Sequence, residues 1–213
     1  MTTQDPIIEI CKKIQDELTM LLASHHEIYQ SPCKGVLLEE LFCIASKSVG
    51  YHSDWKPNGS HQIGKDQSLG GIAISNKSGE HRKRKKDGKI TLKITGSRTS
   101  KFKTLEDKLF FLSEKRYDYT ICCARNHRDW NKNKKIYHLI ALPHIDYTSE
   151  EFTWKPQLKD NGEEKDQQWK TDNNKNITAW IGAKTVSGQL FTEFSDKTFL
   201  YHKTINIDEL LNN

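Results

Sequence analysis

The stretch Gly71-Ile72-Ala73-Ile74-Ser75-Asn76-Lys77-Ser78 decides how the fold is read. In an extended chain Ile72 and Ile74 fall on one face, while Ala73, Ser75 and Lys77 fall on the other, because side chains alternate along a strand. A basic turn follows, Glu80-His81-Arg82-Lys83-Arg84-Lys85-Lys86-Asp87-Gly88. Its Asp87-Gly88 pair suits the positive φ angles of a tight hairpin turn. Residues 89–95 alternate again through Ile90, Leu92 and Ile94. The segment therefore predicts two strands joined by a hairpin.

Upstream, Ile7, Ile8, Cys11, Ile14, Leu18, Leu21 and Leu22 recur at helical spacing, with Pro6 suited to a first turn, so residues 6–24 read as a helix. Ser31-Pro32 marks residues 25–34 as a loop. A second helix is expected over residues 36–48, with Val36, Leu37, Leu41, Ile44 and Ala45 as its apolar face and Gly50 as its stop. Residues 51–70 are rich in Gly, Pro, Ser and His and read as turns with room for one short strand. Downstream, Thr104 with Asp107 three residues later opens a helix whose apolar side is Leu105, Leu109, Phe110 and Leu112. Residues 118–124 and 136–142 are almost continuously apolar, as central strands covered on both faces are. Residues 155–177 are dominated by Lys, Asp, Asn, Gln and Glu and are expected to form a long loop or insertion. Short strands are expected around Ile177–Ile181 and Leu190–Leu200. This order predicts an α/β fold, a mixed β-sheet flanked by helices with a less regular C-terminal part. The expected division is a helix and loop over residues 1–33, a core over 34–143, and a C-terminal region over 144–213 packed on that core as one domain.

The 213 residues suit one globular domain with some elaboration. Lys and Arg number 33 against 28 Asp and Glu, a net charge of +5 that permits a polyanionic partner without requiring one. Five cysteines in no CxxC pair, two of them adjacent in an apolar run, point to thiols in a reducing compartment. No basic segment followed by an apolar one begins the chain, and no apolar run reaches membrane-spanning length, so a soluble cytoplasmic protein without a membrane partner is expected.

Hydrolysis of a phosphodiester needs an activated water and neutralisation of charge on the phosphate. A hard divalent cation held by carboxylates and carbonyl oxygens supplies both, and a lysine beside it can orient the water or balance charge. Asp66 precedes the strand, Lys77 lies on it with Ser75 on the same face, and Glu39-Glu40 sits on the preceding helix. Asp66 followed by Ser75-Asn76-Lys77, with Lys34-Gly35-Val36-Leu37-Leu38-Glu39 upstream, resembles the PD-(D/E)xK nuclease motif over about residues 34–142. The resemblance implies a site-specific endonuclease of double-stranded DNA, of the type II restriction kind, with a Mg2+ cofactor that Mn2+ can replace. It implies Asp66 as central metal ligand, Lys77 as catalytic lysine, the Asn76 carbonyl as a further ligand and Glu39, or its neighbour Glu40, as the helix carboxylate. Ser75 departs from the acid usual in that family; an acid from elsewhere, Glu39, Glu40 or more weakly Glu80, would compensate. Cutting both strands of a palindrome implies a homodimer.

Other readings stand beside these. Asp66 also suits a turn, Lys77 an exposed strand position, and one of Glu39 and Glu40 must face away, since adjacent helical residues point about 100° apart. Arg82, Lys83, Arg84, Lys85 and Lys86 suit either a solvated turn or phosphate contact, and Arg98 and Lys101 suit DNA contact, with Arg98 toward a guanine edge, or a plain lead into the helix. His61 suits a place near Asp66 or an ordinary loop, and the five tryptophans suit base stacking or, more simply, packing. A structure-specific repair or resolution nuclease, and an inactive nucleic-acid-binding module marked by Ser75, remain the alternatives.

Overall fold

In the computed structural model, residues 5–54, 65–83, 90–126, 134–172, 176–182 and 188–212 are described. Helix α1 (Pro6–Ile28) buries Ile7, Ile10, Cys11, Ile14, Leu18 and Leu22 along one stripe. It runs one turn beyond the expected end because His26 is a core residue. His26 Nε2 lies 2.9 Å from the Tyr137 hydroxyl and its Nδ1 2.7 Å from the Tyr29 carbonyl. Helix α2 (Val36–Ser48) follows Gly35, whose φ of 61° favours glycine, and buries Leu38, Leu41, Phe42 and Ala45.

Strands β1 (Gln67–Leu69), β2 (Ile72–Lys83) and β3 (Ile90–Arg98) pair antiparallel in sequence order. β2 is longer than its apolar alternation predicts. Glu80–Lys83, expected in the turn, pair with Ile90–Lys93, since backbone pairing with β3 and β4 continues whatever the side chains. Arg84, Lys85, Lys86 and the Asp87-Gly88 turn lie outside the described residues, as do His61, Trp55 and Trp130. Helix α3 (Leu105–Ser113) begins at Thr104, whose Oγ1 accepts a hydrogen bond from the Asp107 amide at 3.1 Å. Strand β4 (Tyr119–Asn126) then enters parallel to β2, and β5 (Ile136–Pro143) pairs antiparallel with β4. Both are buried along most of their length, as their composition predicts.

The polar segment expected as a long loop or an insertion is not a loop but a β-hairpin, β6 (Trp154–Leu158) with β7 (Glu164–Thr171). Its tip is closed by the Lys159 amide donating to Glu163 O at 2.7 Å and by Gly162 at φ 85°. Most of its side chains face water, so its sequence carries no apolar alternation; Trp154 and Trp169 are what tie it to the core. Strands β8 (Ile177–Ile181) and β9 (Gln189–Ser195) alternate buried and half-buried residues. A 3-10 turn (Asp196–Thr198), strand β10 (Tyr201–Asn206) and helix α4 (Ile207–Leu211) complete the chain. This C-terminal part is less regular, with short strands, a register shift between Pro156 and Leu158, and Gln167 at φ 52°.

The strands form one mixed ten-stranded sheet in the order β10-β5-β4-β2-β3-β9-β8-β7-β6, with β1 beside β2. Helices α1 and α2 cover one face through Leu18, Phe42, Ile74, Ile121 and Leu139. On the other face Ile177 and Phe194 share a core with Cys122 and Ile140, so the sheet curls back over itself and α3 packs beneath the curl against Leu190 and Ile181. All five cysteines are free and buried, acting as small hydrophobes. Among the described residues no helix is long and apolar enough to cross a membrane.

Candidate metal and catalytic centre

Asp66 enters β1 with its amide donating to Ile74 O at 2.9 Å, which fixes its carboxylate beside the first half of β2. Its Oδ2 accepts from three consecutive residues of that strand: the Ser75 hydroxyl at 3.1 Å, the Asn76 amide at 2.6 Å and the Lys77 ammonium at 3.0 Å. Lys77 Nζ also donates to the Asn76 carbonyl oxygen at 3.0 Å. The ammonium thus bridges a carboxylate and a backbone carbonyl, the two kinds of hard oxygen that Mg2+ takes. These residues fit such a cation, because the structure already places one positive charge between them.

Lys77 lies where two hollows meet. One, of about 240 Å³, is lined by Glu39, Asn76, Lys77 and Ser97. Glu39 is half-buried on α2 and faces this hollow, while Glu40 is exposed. The other, of about 250 Å³, lies on the curled side and holds Asp66, Ser75, Lys77, Lys115, Tyr117 and Thr120. Burial lowers the Lys115 pKa to about 8; repulsion from Lys77 adds to this and attraction to Asp66 opposes it. Burial raises the Tyr117 phenol, hydrogen-bonded with Thr120, above its ordinary value.

Lys115, Tyr117 and Thr120 escape a motif reading, yet a signal for them exists. β4 runs parallel to β2, with Thr120 opposite Ser75. A parallel neighbour enters the sheet at the same end, so the segment leading into β4 lands beside the one leading into β2.

Of the other charged residues, Glu80 lies further along β2 and is held by Arg82 and by Arg125 at 2.6 Å. Burial alone would raise its pKa, but hydrogen bonds from Arg125 and Arg82 outweigh this and hold it below the usual range. It therefore serves those arginines and does not stand in for an acid at Ser75. Lys83 and Arg98 are exposed, and Lys101 lies over the rings of Phe102 at 4.9 Å and Phe111 at 5.0 Å. Trp180 stacks on Phe191 with ring centres 5.5 Å apart, and Trp154 and Trp169 pack in the core.

A second constellation lies on the same face of β2, four residues beyond Lys77. His81 from β2, His138 from β5 and His202 from β10 present nitrogens that all lie within 4.8 Å of one another, an arrangement able to chelate a metal ion. His138 Nδ1 lies 2.9 Å from His202 Nε2, and the His81 and His138 rings stack at 3.6 Å. Burial, reinforced by repulsion from His81 and His202, pushes the His138 pKa down to about 3, so its imidazole is neutral at ordinary pH. A mixed α/β architecture with a metal-capable cluster is thus consistent with a metal-dependent, nuclease-like protein in a general sense. No protein-family model, no curated protein and no solved structure matches the chain.

Proposed function

We propose that this protein is a magnesium-dependent endonuclease of double-stranded DNA, similar in its site to PD-(D/E)xK enzymes and acting as a homodimer in site-specific, restriction-type cleavage. The observation that carries the reading is the seat of Lys77 Nζ, 3.0 Å from both Asp66 Oδ2 and the Asn76 carbonyl oxygen. Asp66 and Asn76, with Glu39 across the adjoining hollow, would hold the ion. When bound, Mg2+ polarises the phosphate and lowers the pKa of water. Lys77 would balance charge developing on the phosphate and hold the attacking water; the water oxygen bonds to phosphorus, one P–O ester bond breaks, the water's proton is released to solvent and the departing sugar oxygen takes up a proton to leave as a hydroxyl. Lys115 adds a second amine facing the same carboxylate. The modest excess of Lys and Arg over acids is compatible with a polyanionic substrate.

The test is digestion of unmethylated phage and plasmid DNA with Mg2+, Mn2+ or EDTA, by the wild type and by Asp66→Ala and Lys77→Ala. Discrete metal-dependent fragments are expected, with the rate falling by ~10³-fold or more in either variant. Smeared or branch-dependent cleavage would move the reading to a structure-specific nuclease. Light scattering of the DNA complex should find two chains; a monomer would refute the paired-cut scheme.

One observation favours a second reading. The Ser75 hydroxyl, where the family's acid would stand, is hydrogen-bonded to Asp66. A carboxylate satisfied by three protein donors also suits an inactive nucleic-acid-binding module. Salt-dependent DNA binding with no cleavage of linear, branched or RNA substrates would establish that reading.

A further inference from the structure

We propose that His81, His138 and His202 form a binding site for a borderline transition-metal ion, with Zn2+ as its natural occupant, that ties the edge strand β10 to the centre of the sheet. The inference stands on its own geometry and holds whether or not Asp66 and Lys77 cut DNA.

The ligand chemistry separates the two centres. Neutral imidazole suits zinc and its neighbours, whereas Mg2+ keeps oxygen ligands and dehydrates reluctantly. His81 and His138 are 6% and 5% exposed, and His202 opens to solvent, which provides an entry path on one side. The sheet brings the rings together: β2, β4, β5 and β10 lie side by side. Gly79, Ala124 and His138 lie in one row of the register. Across β4, the His81 and His138 rings come within stacking distance, their centres 3.6 Å apart.

The nitrogens are close to ligating separation. Two nitrogens on a tetrahedral zinc stand roughly 3.3 Å apart, given Zn–N bonds of about 2.0 Å. His138 Nδ1 and His202 Nε2 lie 2.9 Å apart, a contact that requires one shared proton. A metal replaces that proton after a spread of a few tenths of an ångström. His138 Nε2 lies 3.3 Å from Asn126 Nδ2. If the proton moves to Nε2, a turn of the Asn126 amide gives it an oxygen to bond, the kind of partner that orients histidine ligands.

Three side-chain ligands leave a fourth position for water or another donor. The mechanical consequence follows from the strands involved. β10 is the terminal strand of the sheet order, and a bond from His202 to the other two rings would hold it independently of its backbone pairing with β5.

The experiment is calorimetric titration of the full-length, EDTA-stripped protein with ZnCl2, repeated with MgCl2 and followed by Co2+ absorption. One Zn2+ per chain should bind, with a visible Co2+ spectrum of a low-coordinate nitrogen site and increased amide-exchange protection along β10. Mg2+ should neither bind at the histidines nor change that protection. His202→Ala, at an exposed position, should weaken Zn2+ by at least ~100-fold, beyond the roughly 10- to 100-fold cost of losing a group behind a ligand. His138→Ala, checked for folding by circular dichroism, should do the same, and Asp66→Ala should bind zinc as the wild type does. Absence of saturable one-to-one binding, wild-type affinity in His202→Ala, or loss of binding in Asp66→Ala would each overturn the proposal.

Discussion

The two ends of β2 set different chemistry on one face of one strand. At the first end Asp66, Asn76 and Lys77 gather oxygen ligands around an ammonium. About 13 Å further along, at the strand's rise of ~3.3 Å per residue, His81 joins two other imidazoles. The first group is assembled within twelve residues by a β-hairpin and a strand's own alternation. The second needs three strands distant in the chain. A local group is held by backbone register and survives small shifts of the sheet, whereas a distributed group reports on the sheet's order.

That contrast can be broken or sharpened by experiment. Beyond Asp66 and Lys77 themselves, the largest effect is expected at the helix that faces the first end. Glu39→Gln should slow Mg2+-dependent cleavage about 100-fold, or ~2.7 kcal/mol of activation free energy, while Glu40→Gln should stay near wild type. Equal losses in both would remove Glu39 from the centre. Zinc affinity should be unchanged in either variant.

Gly79 lies between the two ends. A Cβ there would stand 2.9 Å from both Cys122 Sγ and the Lys93 carbonyl oxygen, so β2 must shift. Gly79→Ala should cost roughly 1–3 kcal/mol of stability, read by denaturant unfolding, and should weaken cleavage and zinc binding together. A variant that affects one end alone would show that the strand does not couple them.

Acid should act mainly at the second end. In metal-free protein His138 titrates at about 3, against an ordinary value of 6.5, and burial also lowers His202 and His26. The unfolded chain therefore takes up protons below about pH 6.5 that the native state refuses. Stability contributed by these neutral histidines is intact above that pH and falls as pH drops toward 3. For His138 alone the slope is at most about 1.4 kcal/mol per pH unit. Urea midpoints from pH 7 to 4 should show the decline, and His138→Gln should flatten it. A pH-independent midpoint would mean that the ring is not held neutral.

The smallest effect is expected far from both ends. Thr104→Ala removes the cap of α3 and should cost about 1 kcal/mol, lowering the melting temperature without altering zinc affinity. A change in metal binding would reveal coupling through α3 that the hydrogen bonds do not suggest.

Much of this architecture is legible before any coordinates. The apolar stripes of α1 and α2, the Thr104 cap and the buried runs of β4 and β5 follow from local spacing, because each residue's environment there is set by neighbours three or four positions away or by strict alternation. The Asp66–Lys77 group is legible through the resemblance of Asp66 and Ser75-Asn76-Lys77 to a known motif, and the two side chains meet at 3.0 Å. The β6–β7 hairpin is not. An edge hairpin that buries few side chains has no periodic apolar signal, and its backbone bonds come from partners the chain reaches later. The continuation of β2 through Glu80–Lys83 is hidden likewise by its polar side chains.

The sequence by itself determined which segments become helices and central strands, since those outcomes rest on spacing along the chain, and through a motif resemblance it offered Asp66 and Lys77 as members of one site. Only the tertiary structure decided that Lys115, Tyr117 and Thr120 line the hollow that holds Asp66, that Glu39 and not Glu40 opens toward Lys77, and that nitrogens of the histidines at 81, 138 and 202 lie within 4.8 Å of one another. Strand order and the curl of the sheet set those neighbours, and both arise from long-range pairing that no local pattern encodes.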